Sequence, residues 1–146
     1  MATSGAGEVV MFLHGLGSTK ENWYPQLVHF GQTHRAIAWD TRGYGESDDY
    51  EGELVFARDL VRDLISTLDM LGVIQVHLVG LSMGGMIAQC FYFAHPHRVA
   101  TLVLADTFSS FQILGERSVK AFLSARIDPL ENGATPADLA PEAAAF

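Results

Sequence analysis

Cysteine occurs once, at Cys90, so an internal disulfide is excluded, and its place in an apolar segment makes it a core thiol rather than a nucleophile. Basic side chains are scarce: 9 Lys and Arg against 17 Asp and Glu leave a formal net charge of -8. Nucleic acid and anionic membrane both reward a basic face, so neither is expected as the main partner, and a small molecule is. From Gly72 to Ala94 there is no Asp, Glu, Lys or Arg. That stretch is long enough to span a bilayer, yet Gln75, His77, Ser82, Gln89 and its internal glycines fit a buried strand followed by a buried helix. The opening residues, Met1 to Glu8, lack the basic and apolar regions of a signal peptide, which makes a cytoplasmic location the default expectation. Internal repeats are absent too. What remains is 146 residues, 49% of them hydrophobic, enough for one domain with a real core.

The chain is organised around Val76 to Gln89, which contains Gly80-Leu81-Ser82-Met83-Gly84, a G-x-S-x-G pattern. Val76, Leu78 and Val79 read as a short buried strand, and the apolar run from Met86 to Phe93 as a buried helix. Ser82 then sits at a strand-to-helix turn. So sharp a turn strains the serine backbone and is tolerated only where residues two positions away have almost no side chain, which Gly80 and Gly84 satisfy. Gly85 lets the helix pack close to the sheet. A hydroxyl is thereby presented above a helix N-terminus whose free N–H groups can stabilise an oxyanion.

Elsewhere the pattern alternates. Glu8 to Leu13 reads as a buried parallel strand running into the loop His14-Gly15-Leu16-Gly17-Ser18. Ser18 with Glu21 predicts a capping box and a helix carrying Trp23, Tyr24, Leu27, Val28 and Phe30. Arg35 to Trp39 is a second strand, ending in the polar glycine loop Asp40 to Ser47. Between Leu54 and Leu71 the apolar residues fall at helical spacing, with Arg58, Asp59, Arg62, Asp63 and Asp69 off that face. After the Ser82 unit, Pro96 ends the helix and Val99 to Ala105 makes a fourth strand finishing at Asp106. The expected fold class is α/β, a mainly parallel sheet of about four strands flanked by helices. Beyond Thr107 no strand pattern continues; a mixed helical stretch with an apolar helix around Val119 to Leu123 gives way to an acidic end rich in Pro and Ala.

Two other motifs are tested by the first glycine loop. A strand, Gly15-x-Gly17, a helix and a second strand ending in Asp40 mimic a dinucleotide site, but position 20 is Lys where the third glycine belongs. A phosphate loop fails because Gly-Lys-Ser/Thr is absent. No metal and no cofactor is expected.

Taken in order, His14-Gly15-Leu16-Gly17, Trp23, Asp40 to Ser47, Gly80 to Gly85, His95-Pro-His-Arg-Val99 and Leu102 to Asp106 resemble the α/β-hydrolases over positions 8 to 107. Within that family the chain is most similar to the 3-oxoadipate enol-lactonase and haloperoxidase-like esterase group. The resemblance implies a partial α/β-hydrolase fold, with residues 1–107 as the front of the core and 108–146 as the start of a helical cap. It implies Ser82 as nucleophile and the backbone N–H groups of Leu16 and Met83 as the oxyanion hole. Asp106 takes an alternative position for the catalytic acid, Asp40 and Arg42 anchor loops, and Trp23 packs helix to sheet or walls the pocket. A small ester or lactone is the implied substrate, cleaved through a Ser82 acyl-enzyme.

One element of that resemblance is missing. The family draws its catalytic histidine from a loop after the last strand, whereas only His95 and His97 follow Ser82 here, both in a turn that is structural in the family. His14 is a loop-bracing residue on this reading. The chain therefore reads as the front portion of a hydrolase whose activity belongs to the full-length form. The alternative is a non-catalytic ligand-binding domain of the same fold.

Overall fold

The computed structural model describes residues 1–110, 113, 115–135 and 137–139. The described residues fall into two compact units, Met1–Phe108 and Ser109–Phe146. The first contains five strands: β1 (Ala2–Ser4), β2 (Val9–Leu13), β3 (Arg35–Trp39), β4 (Val76–Leu81) and β5 (Val99–Ala105). Helices α1 (Tyr24–Phe30), α2 (Phe56–Met70) and α3 (Met83–Ala94) connect them. The sheet order is β1-β3-β2-β4-β5, with only β1 antiparallel to its neighbour. β1 is an addition to the four strands expected: Ala2 to Ser4 is too short to show a period of its own and is held by pairing with Ala36 to Ala38.

Alternation along β2 divides the core into two layers. Met11 and Leu13 face α2 and α3, in a cluster with Ile37, Leu60, Leu64, Leu68, Leu78, Ile87 and Phe91. Val10 and Phe12 face α1, packing with Trp23, Leu27, Ala36 and Ala38. Helix α2 owes its place to a stripe of Leu60, Val61, Leu64 and Leu68, all buried. Asp59 departs from expectation, being buried on the helix rather than turned away. Its carboxylate accepts the Val55 N–H at 2.8 Å, which satisfies a free donor at the helix start, and it is flanked by Arg58 and Arg62.

Other local expectations shift for identifiable reasons. The cap before the first helical turn is Thr19, whose hydroxyl accepts the Glu21 N–H, not Ser18; the turn is a 3-10 helix, Lys20–Trp23, leading into α1. Of the residues assigned to this helix, Tyr24 and Val28 are exposed because Trp23, Leu27 and Phe30 make the face that meets the sheet. At the end of α3, Tyr92 and Phe93 are likewise exposed, so burial along that helix ends at Phe91. The charge-free stretch from Gly72 to Ala94 is a 6-residue strand and a 12-residue helix, and among the described residues no helix is long and apolar enough to cross a membrane.

The second unit is built on α4 (Glu116–Glu131), which takes in Val119 to Leu123 and carries Pro129 in its last turn. Proline there has no N–H to offer the Ala125 carbonyl, so the last turn gives up one helical backbone bond. Of the Pro- and Ala-rich end, Pro136 and positions 140–146, with Pro141 and Glu142, lie outside the described residues.

Candidate active site

The chain leaves β2 toward β3 on one side of the sheet, then returns past it to β4 on the other. This reversal opens a crevice beyond the carboxyl ends of β2 and β4, the place where open α/β sheets bind ligands. Register brings the strand ends level: Leu13 pairs with Trp39 and Gly80, and Leu81 with Ala105. The next residues along, His14, Asp40, Ser82 and Asp106, therefore share one edge of the sheet.

Ser82 stands between β4 and α3 with φ 50° and ψ -113°, backbone angles that L-residues rarely adopt. Close packing maintains them. A Cβ at Gly80 would lie 2.5 Å from the Gly84 carbonyl oxygen, and one at Gly84 would collide with the Leu13 carbonyl. The Ser82 N–H donates to Ala105 O at 2.9 Å, and the Ser82 carbonyl accepts from Gly85 N, Met86 N and the Thr107 hydroxyl. Thus the residues on both sides of Asp106 are bonded to Ser82. Asp106 itself is exposed, has φ 44°, and makes no hydrogen bond or ion pair with the described residues.

The glycine loop lies against the serine: a Cβ at Gly15 would stand 3.4 Å from the Ser82 Cβ. Leu16, half exposed, follows it, and Met83 opens α3. Beneath the loop His14 is fully buried. Its Nδ1 bonds Gly15 O at 2.8 Å and its Nε2 accepts the Thr41 N–H at 3.1 Å, so a neutral ring with the proton on Nδ1 satisfies both contacts. Burial pushes the His14 pKa down, which keeps the ring neutral. Tyr44 packs on this ring and its hydroxyl is hydrogen-bonded to the Gly17 backbone; burial raises its pKa. With both nitrogens held by backbone, His14 braces the loop.

Asp40 braces it from the other side. One carboxylate oxygen accepts the Lys20 N–H and the other the Lys20 ammonium, each at 2.8 Å, and Glu46 N–H adds a third bond. Burial alone would raise the Asp40 pKa, but the Lys20 bonds outweigh it and hold the carboxyl below its ordinary value. This arrangement closes the dinucleotide reading: the acid that would bind a ribose is fully buried and occupied by the lysine standing where a glycine was required. Arg42 forms a two-pronged ion pair with Asp63 of α2, fixing the other end of the same loop. Lys20 and Thr107 are the supporting residues that sequence reasoning missed. A lysine bonding 20 positions away leaves no local pattern, whereas a hydroxyl beside the strand-end Asp106 was a visible signal.

Trp23 is nine-tenths buried against Phe12, ring centroids 5.0 Å apart, in the layer under α1. Its indole N–H has no partner among the described residues. Cys90 is partly buried, and burial raises its pKa, leaving a thiol. The remaining histidines stand elsewhere: His29 on α1 and His34 just before β3, His77 at the amino end of β4, and His95 and His97 before the start of β5. Among the described residues no cluster of His, Cys, Asp and Glu is suited to a metal ion.

Residues 8–124 match the family described as alpha/beta hydrolase fold. Over 105 residues, 70% of this chain and 33% of the relative, the sequence is 40% identical to epoxide hydrolase 2 of Siraitia grosvenorii. It is 34% identical over 79 residues to 3-oxoadipate enol-lactonase 1 of Acinetobacter baylyi, covering 54% of this chain and 29% of that one. A thermophilic esterase from Thermogutta terrifontis superposes with a TM-score of 0.73 at 30% identity, covering 88% of this chain and 48% of that structure. The chain spans only 33% to 41% of the length of the first curated relatives it matches. With the strained Ser82 turn, the parallel sheet and the match over most of its residues, the chain belongs to the α/β-hydrolase fold family.

Proposed function

We propose that the protein is a serine hydrolase acting on a small carboxylic ester or lactone through a Ser82 acyl-enzyme. The observation that carries this reading is the strained serine at the strand-to-helix turn, with the glycine-loop backbone lying against it. Ser82 Oγ adds to the substrate carbonyl, and its proton passes to a base. The resulting oxyanion is received by the N–H groups of Leu16 and Met83, each worth on the order of 3 kcal/mol. The tetrahedral intermediate collapses, the C–O bond to the alcohol breaks, and the departing oxygen takes a proton. Water then adds to the acyl-serine and regenerates Ser82 with release of the acid. For a lactone, acid and alcohol leave as one molecule. Asp106, without a side-chain partner among the described residues and flanked by two residues bonded to Ser82, is the candidate acid that would orient a catalytic imidazole.

None of the six histidines stands free at this edge, so the proposed activity belongs to a form in which an imidazole is supplied. The same fact supports the second reading, a ligand-binding domain without catalysis. Added imidazole separates them. Residues 1–146 are expected to hydrolyse p-nitrophenyl acetate close to background, and imidazole should raise that rate through a Ser82-linked acetyl group detectable by mass spectrometry. A rate unchanged by Ser82→Ala, with no acetylated Ser82 peptide, decides for the non-catalytic domain.

A further inference from the structure

We propose that Thr107 is a positioning residue that aims the Met83 oxyanion donor by holding the other end of the same peptide group. The inference rests on the reading of Ser82 as nucleophile given above. The Thr107 hydroxyl donates to the Ser82 carbonyl oxygen at 2.6 Å. That carbonyl and the Met83 N–H belong to one planar peptide unit, so fixing the direction of the C=O fixes that of the N–H. The carbonyl's other two donors, Gly85 N at 3.0 Å and Met86 N at 3.2 Å, come from the first turn of α3 and move with it. Thr107 comes from the strand end beyond β5, and is the contact that references the donor to the sheet. A hydrogen bond accepted by a carbonyl also polarises its amide, making the N–H at the far side a stronger donor.

The packing around this contact is specific. A Cβ at Gly85 would lie 2.6 Å from Thr107 Cγ2 and 2.7 Å from its Oγ1, so the threonine side chain occupies the space that glycine leaves open. Ser82 N–H to Ala105 O completes the clamp on the nitrogen side. Between the two bonds the backbone must turn at Asp106, and it does so at φ 44°. One turn thus serves two ends: it presents the Asp106 side chain at the edge and returns Thr107 to Ser82.

The test compares Thr107→Val, which keeps the shape and loses the hydroxyl, with Thr107→Ser, which keeps the hydroxyl, in the 146-residue chain. Thr107→Val should move the Ser82 carbonyl 13C resonance upfield and speed amide exchange at Gly85 and Met86, while Thr107→Ser leaves both as in the parent. In imidazole-assisted acetylation of Ser82 by p-nitrophenyl acetate, Thr107→Val should lower the saturating rate by roughly tenfold with the half-saturating concentration within about twofold, as expected for an interaction made in the transition state. Thr107→Ser should restore the rate to within about twofold. A carbonyl resonance unmoved by Thr107→Val, or a Thr107→Ser protein that behaves like Thr107→Val, overturns the assignment. Absence of Ser82 acetylation in the parent sinks the hydrolase reading instead, and the carbonyl resonance then decides whether Thr107 holds the peptide at all. Thermal melting of both variants separates lost aim from lost fold.

Discussion

Lys20 and Asp40 bind each other twice, main chain to one carboxylate oxygen and ammonium to the other, both at 2.8 Å. This joins the loop after β2 to the loop after β3 at the floor of the candidate site. The pair should give the protein a broad pH plateau with two different edges. Asp40 has a folded pKa below its ordinary value, so its contribution is present above about pH 4 and is lost as pH falls through the folded value. Asp59, lowered to about 2 by the Arg58 guanidinium and the Val55 N–H, adds a share lost between about pH 4 and that value. The Lys20 pKa is raised by Asp40, then Glu46, so its contribution is full below about pH 10.4 and disappears only as pH rises through the folded value. Urea midpoints measured from pH 2 to pH 7 should fall on the acid side, and Asp40→Asn should flatten that fall. An acid slope equal in the parent and in Asp40→Asn would assign the effect to other carboxylates.

Backbone strain at Ser82 gives a prediction of opposite sign for stability and activity. A non-glycine residue at φ 50° and ψ -113° costs roughly 1 to 3 kcal/mol, and glycine relieves it. Ser82→Gly should therefore be more stable than Ser82→Ala by about 1 kcal/mol, both having lost the hydroxyl. Chemical denaturation of the two variants side by side measures the difference. If Ser82→Ala is the more stable, the serine backbone is not under strain.

Gly84 permits the close approach that places Ser82. A Cβ there would strike the Leu13 carbonyl and lie 2.8 Å from the His14 oxygen, neither of which belongs to a flexible side chain. Gly84→Ala should cost about 3 kcal/mol or leave the protein insoluble. Gly17→Ala is the comparison: nothing lies within 4 Å of the added carbon, so only its φ of 71° is penalised, at about 1 to 2 kcal/mol. Equal losses would mean that helix α3 can move away from the sheet.

The parts legible in the sequence were those whose determinants are local. Arg35 to Trp39 and Val99 to Ala105 coincide with β3 and β5, because a short β-branched and apolar run between polar turns leaves little room for error. The place of Ser82 followed from glycines at fixed offsets. What escaped was set by partners distant along the chain: β1 forms only because β3 offers an edge, and Asp59 is buried because its carboxylate meets a helix-start N–H. The bracing of the candidate site belongs to the same class. Lys20 looked like a failed glycine in one motif and is the counter-ion of Asp40 in the fold.

β5 ends the strand order, pairing with β4 on one side only, and Val103 and Leu104 on it are 49% and 44% exposed. Nearby in sequence, the end of α3 exposes Tyr92 at 44% and Phe93 at 82%. A seven-residue apolar strand whose outer edge has no pairing strand among the described residues is a template for pairing with another chain, and exposed aromatic side chains add apolar area to such a contact. The 146-residue chain is therefore expected to associate as its concentration rises. Sedimentation equilibrium measures this directly. Val103→Lys should weaken association by placing a charge on the edge strand, and Phe93→Lys should do so by removing apolar area, each with a stability change within about 0.5 kcal/mol because neither side chain is buried. A parent protein that stays monomeric across the accessible concentration range, or variants that associate as strongly as the parent, would show that this edge is protected by other means.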